Sequence, residues 1–267
     1  MKHLLLTTIA VVLSSTALAA PDSLKKAHME AHKMMTDAVA KSDLPSVVAV
    51  GINSNGDKIE FCHGGVSWGK KKKVTTKNLF RIHSMTKLVT SIAAMQLVEQ
   101  GKLELDQDLS KLLPEMASIP MLTVEGELVE AKRAITLRHL LTHTAGFGYQ
   151  NITYKVPAGF DAKNWKYEDF PRQFESGTRF LYGTNTDWAG KLVEKVSSMT
   201  LEAYFKKHIF KPLGIKSTYY NVPEKAKKRI VSMGNRGEDG KSKLREIDGD
   251  TESPNRYPVG KTTKFSG

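Results

Sequence analysis

The chain has a single cysteine, Cys62, in 267 residues, so no internal disulfide can form. Nothing near Cys62 supplies the cations or helix N-terminus that make a thiol nucleophilic, and it reads as a half-buried strand residue. Acidic side chains are also scarce. There are 28 Asp and Glu against 40 Lys and Arg, a formal charge of +12. Such an excess can serve nucleic acid, anionic lipid or an acidic polymer. The basic residues are dispersed, however. The densest run, Lys70 to Lys73 after Gly69, falls where a loop is expected and has no interleaved aromatics. It reads as a solvated loop, and no nucleic-acid partner is expected. His28 and His32 lie one helical turn apart but lack a third ligand, so no metal site is indicated.

Beyond the N-terminus no apolar run is long enough to cross a bilayer. The N-terminus itself reads as a secretory signal. Lys2 gives the positive start, Leu4 to Leu13 the apolar core, and Ala17-Leu18-Ala19 a small-residue cleavage site. Cleavage after Ala19 would remove residues 1–19 and leave a mature chain of residues 20–267. No cysteine follows that site, so a lipid anchor is not expected. The expected location is periplasmic or secreted, without stable membrane insertion.

Periodicity predicts a helix over residues 22–41, ended by Leu44-Pro45. Two valine- and isoleucine-containing strands over residues 47–52 and 59–64 flank Asn55-Gly56, a strong hairpin signal. A helix should begin at Ser84 and run to about Gln100, where Gly101 stops it. Residues 103–113 read as a partly helical connector, 120–134 as a small hairpin, and 136–146 as a short helix closed by Gly146. Residues 147–173 are aromatic and irregular, as in a loop region over a cleft. The stretch 177–182 is extended and enters a helix over 186–198, followed by another over 201–209. From about Lys225 charged residues, glycine and proline dominate, as in a disordered end or the loops of a domain.

The segment Phe80-Arg-Ile-His-Ser-Met-Thr-Lys87 carries the chemistry. Residues three apart share a helix face, so the Ser84 hydroxyl and the Lys87 amine can meet without help from the rest of the fold. A serine needs a base to take its proton, and a desolvated lysine can act as one. Free N–H groups at a helix N-terminus favour the negative charge that develops in acyl transfer. The same spacing at Ser23-Leu-Lys-Lys26 reads as the polar start of an ordinary helix, so context distinguishes Ser84.

Five blocks in register resemble the serine beta-lactamase and penicillin-recognising superfamily. They are the N-terminal hairpin; the Ser84 segment; Gly101 to Asp106 with Leu112-Leu-Pro114; Leu140-Leu-Thr-His-Thr-Ala-Gly146; and Gly177 to Tyr182 running on to Pro212-Leu-Gly-Ile215. The chain is most similar to the class C beta-lactamase-related branch that includes esterases and D-alanyl peptidases. The resemblance implies an α+β, beta-lactamase/transpeptidase-like fold, with an antiparallel sheet flanked by helices and an all-helical region. It implies Ser84 as nucleophile, Lys87 as the lysine that assists proton removal, and Tyr182 as the tyrosine that relays the proton to the leaving group. No metal or organic cofactor is implied.

Two departures from the family pattern matter. The second motif, usually Tyr-Ser-Asn or Tyr-Ala-Asn, reads Tyr182-Gly183-Thr184, with Asn185 one place late. This favours an esterase over a beta-lactamase or D-alanyl peptidase. The substrate expected is a small-molecule ester, with a beta-lactam or peptidoglycan peptide as the other members of the class. The family's third motif and its three C-terminal strands have no counterpart here. Lys261-Thr-Thr263 comes too early and lacks the glycine. The domain over 20–267 is therefore expected to be incomplete and poorly stable alone, and the alternative reading is a non-catalytic or inactive remnant of such an enzyme.

Overall fold

The computed structural model describes residues 22–149, 170–235 and 245–246. The signal-like segment 1–19, most of the aromatic stretch 147–173, and the Lys261-Thr-Thr263 run lie outside the described residues. In chain order the elements are α1 (Asp22–Ala40), β1 (Ser46–Ile52), β2 (Lys58–Gly64), α2 (Thr86–Glu99), α3 (Pro114–Ala117), β3 (Met121–Leu122), β4 (Leu128–Val129), α4 (Leu137–Leu141), α5 (Asn185–Ser197), α6 (Leu201–Phe205), α7 (Glu224–Lys227), β5 (Gly234–Asn235) and β6 (Arg245–Glu246). Short 3-10 turns lie at His83–Met85 and Leu109–Lys111, and a π-helical turn, Lys206–Phe210, extends α6. These elements divide into two compact units, one up to Phe80 and again from Val222, the other spanning Arg81–Asn221.

The first unit is built on the predicted hairpin. β1 and β2 pair antiparallel from Ser46 opposite Gly64 to Ile52 opposite Lys58. The Asn53 carboxamide oxygen accepts from the backbone N–H groups of Asn55 and Asp57, and Gly56 takes a positive φ of 84°, as such turns require. Phe61 is buried, and its ring centre lies 5.0 Å from that of His32 of α1 in an edge-to-face arrangement. Side chains alternate along a strand, so Phe61 facing inward turns Cys62 outward. Cys62 is exposed, not half-buried as expected.

Of the charged stretch from about Lys225, expected as a disordered end or as the loops of a domain, the first part docks. The Leu79 N–H donates to the Arg229 carbonyl, the Val231 N–H donates to the Leu79 carbonyl, and the Ser232 N–H donates to the Val66 carbonyl. Residues 229–232 thus lie alongside residues 66–79.

The second unit is helical around one core. Ala93, Ala94 and Leu97 of α2 pack with Trp188, Leu192 and Val193 of α5, Leu201 and Phe205 of α6, and Leu137 and Leu140 of α4. Full burial of each such large side chain is worth about 1.5–3 kcal/mol. α2 begins two residues later than expected, because Ser84 lies in the 3-10 turn ahead of it. Met85 of the 3-10 turn and Leu88, Ile92 and Met95 of α2 are exposed.

Arg172 anchors the chain that leads to the second motif. It is buried and donates to the carbonyls of Ile119 and Arg133 and to the Ser176 hydroxyl. The Leu122 N–H donates to the Arg172 carbonyl at 2.7 Å, and the Arg172 N–H to the Pro120 carbonyl at 2.8 Å. The Glu175 carboxylate accepts from the N–H groups of Lys132 and Arg133. With residues 172–176 fixed this way, the extended run to Tyr182 is aimed back at the start of α2.

Candidate active site

Ser84 sits at the hinge between an extended segment and α2. His83, just before it, has a φ of 42°, a left-handed conformation that non-glycine residues rarely adopt and that recurs at functional sites. Ser84 is exposed, whereas Lys87, one turn on, is only 8% exposed. A buried ammonium in the first turn of a helix opposes the macrodipole. It is tolerated here because the amine has partners. Its Nζ donates to Ser84 Oγ at 3.3 Å and to Tyr149 Oη at 3.0 Å. It also lies 5.1 Å from the centre of the Tyr182 ring and 5.7 Å from that of Tyr149, within range of cation–π attraction.

The three residues singled out from the sequence, Ser84, Lys87 and Tyr182, thus meet at one point. A fourth, Tyr149, was missed. It lies in Gly146-Phe-Gly-Tyr149, at the start of an aromatic-rich stretch in which nothing local marks one ring out. The two tyrosine rings stand 5.8 Å apart, edge to face.

The electrostatics assign the groups different roles. Burial alone would lower the Lys87 pKa, but its hydrogen bond to Tyr149 and the fields of Tyr149, Asp187 and Tyr182 hold it above the ordinary lysine value. In this structure the partners of the amine outweigh the desolvation expected from the sequence and favour its ammonium form. For Tyr182, burial raises the pKa, yet its hydrogen bond with Ser84, the charge of Lys87, and hydrogen bonds to Lys87 and Tyr149 bring it below the ordinary phenol value. The phenol is thus shifted toward its ionised, proton-accepting form, beside the Ser84 hydroxyl.

His143 and Asn185 complete the surroundings, and neither had been assigned to the site. The His143 ring lies 4.6 Å from that of Tyr182. Burial, with Lys87 nearby, lowers its pKa from 6.5 to about 4, so it is neutral at ordinary pH. Asn185 is fully buried, and its amide nitrogen lies 3.1 Å from His143 Nδ1. The departure at the second motif has a steric reason. A Cβ on Gly183 would stand 2.3 Å from the Phe147 carbonyl oxygen and 2.5 Å from Gly148 Cα. Glycine lets the two tyrosine-bearing segments touch backbone to backbone.

A helical unit that gathers a serine, a lysine three residues on and a tyrosine of lowered pKa has the architecture of the serine-dependent, penicillin-recognising hydrolases. The chain belongs to the beta-lactamase family, whose family model matches residues 31–254, and it falls with that family's esterase-like members. A lovastatin esterase of Penicillium rubens is 37% identical over 183 residues, covering 62% of this chain and 46% of the relative. A monacolin J acid methylbutanoyltransferase of Aspergillus terreus is 35% identical over 160 residues, covering 54% and 38%. Among solved structures, unliganded simvastatin synthase from Aspergillus terreus superposes with a TM-score of 0.74 at 27% identity, covering 83% of this chain and 61% of that one. The α+β beta-lactamase fold expected from the sequence is thereby established. The chain spans about half or less of the length of the curated relatives it matches.

Proposed function

We propose that this chain carries the acyl-enzyme machinery of an ester-cleaving serine hydrolase. Ser84 Oγ bonds to the acyl carbon, and the bond to the leaving alcohol breaks. Tyr182 takes the serine proton and returns it to the departing oxygen. Lys87 remains an ammonium that holds Tyr182 toward phenolate and orients Ser84, and Tyr149 keeps that ammonium in place. Water, or a second alcohol, then takes the acyl group from Ser84. The observation that carries this reading is the single buried amine bonded to both Ser84 and Tyr149 with the Tyr182 ring against it. The relatives named as an esterase and a methylbutanoyltransferase support an ester donor over a beta-lactam or peptidoglycan peptide.

The test is pre-steady-state acylation by a nitrophenyl ester. A burst is expected in the native protein and none in Ser84→Ala, with ester turnover well above the opening of a chromogenic cephalosporin. Labelling that survives in Ser84→Ala would move the nucleophile elsewhere. Export with cleavage after Ala19 is part of the proposal, on the strength of Lys2, the apolar run and Ala17-Leu-Ala19. The intact mass of protein recovered outside the cytoplasm should lack residues 1–19, and a mature chain that retains Met1 would refute it.

A further inference from the structure

The segments that carry Tyr149 and Tyr182 come from separate parts of the chain, and Asn185 lies between them. Its amide nitrogen donates to the Phe147 carbonyl at 2.8 Å and to the Leu181 carbonyl at 3.1 Å. Phe147 precedes Tyr149 by two residues, and Leu181 precedes Tyr182 by one. Turning the amide over would set its oxygen against two carbonyl oxygens, so the nitrogen must face them. The third neighbour of that nitrogen is His143 Nδ1. An amide nitrogen only donates, so Nδ1 must accept, and the proton of the neutral ring resides on Nε2. Two hydrogens serve three acceptors, so one bond is shared. The backbone closes the loop, because the Leu181 N–H donates to the His143 carbonyl at 2.8 Å.

We propose that Asn185 is a positioning residue: its amide fixes the spacing of Tyr149 and Tyr182 about Lys87 and holds His143 as the Nε2-protonated tautomer against the Tyr182 ring. The proposal rests on the acyl-transfer reading for its kinetic consequence only. A buried amide that spans two carbonyls and an imidazole leaves neither tyrosine segment free to drift, and its loss would release both at once. Serine at this position is too short to reach all three acceptors.

The experiment has two arms on the full chain. In the first, protein labelled with 15N-histidine is studied by imidazole NMR, with the resonance assigned by its loss in His143→Asn. His143 should carry its proton on Nε2 in the native protein, and this preference should be lost in Asn185→Ser. In the second, kcat/KM for a nitrophenyl ester is measured for Asn185→Ser, Tyr149→Phe and the double variant. Displacing a reacting group by about 1 Å can cost about a hundredfold, and that loss is expected for Asn185→Ser. Tyr149→Phe should then cost far less in the Asn185→Ser background than in the native one. A native His143 protonated on Nδ1 would overturn the proposal, as would an unchanged tautomer in Asn185→Ser together with additive kinetic losses. If the native protein cleaves no ester, the acyl-transfer reading fails, while the tautomer still decides the role of Asn185. If Asn185→Ser does not fold, the native tautomer again decides it.

Discussion

Replacing Gly183 by alanine adds one methyl group and moves the second motif closer to the family's usual Tyr-Ala form, yet it should damage this protein. The new Cβ would stand 2.3 Å from the Phe147 carbonyl oxygen, whereas ordinary contact begins at 3.4 Å. The obstacle is backbone, which cannot rotate aside like a side-chain tip. Residues 147–148 or the extended segment 181–183 must therefore retreat by about 1.1 Å. That movement separates Tyr149 from Tyr182 and lengthens bonds that Asn185 makes to both segments. Overpacking a tight contact costs about 1–3 kcal/mol. A displacement near 1 Å at reacting groups costs about a hundredfold in rate. Thermal unfolding and nitrophenyl ester turnover of Gly183→Ala, measured beside the native chain, give both numbers. Native stability together with native turnover would show that the two segments do not touch as described, and the steric account of the altered motif would fall.

Two further outcomes are expected. Lys87→Met and Tyr182→Phe should each lower turnover by about two to four orders of magnitude, the usual range for lost acid–base help. The double variant should lose little more than either alone, because both serve one proton path; additive losses would contradict a shared path. The contribution of His143 to folding stability should be fully present above pH 6.5 and should be lost as pH drops toward about 4. The unfolded chain protonates its histidine near 6.5, whereas burial and Lys87 hold the folded His143 near 4. Urea titrations across that range should show the slope, and it should flatten in His143→Asn, because asparagine tolerates the positive φ of 56° at that position.

The sequence by itself determined the hairpin, the main helices and the meeting of Ser84 with Lys87. Asn55-Gly56 between two short apolar strands specifies the hairpin locally, and Ser84 and Lys87 meet because three residues are nearly one helical turn. Such features depend on neighbours in the chain, so a single sequence displays them. The outward turn of Cys62 was set by strand alternation, once the burial of Phe61 fixed which face is inside. The tertiary structure decided the rest of the site. Tyr149 stands 62 residues from Lys87, and no local pattern could distinguish it from the other aromatics around it. In the sequence, Gly183 and Asn185 mark a departure from the family's second motif. Packing places Gly183 at a backbone close approach and buries Asn185 between carbonyls, with partners at Phe147, Gly148 and His143 that lie 35 or more residues away along the chain. The charge of Lys87 was also a tertiary matter. Burial pulls its pKa down, the tyrosines and Asp187 brought in from other segments outweigh that pull, and Lys87 in turn helps lower the pKa of Tyr182.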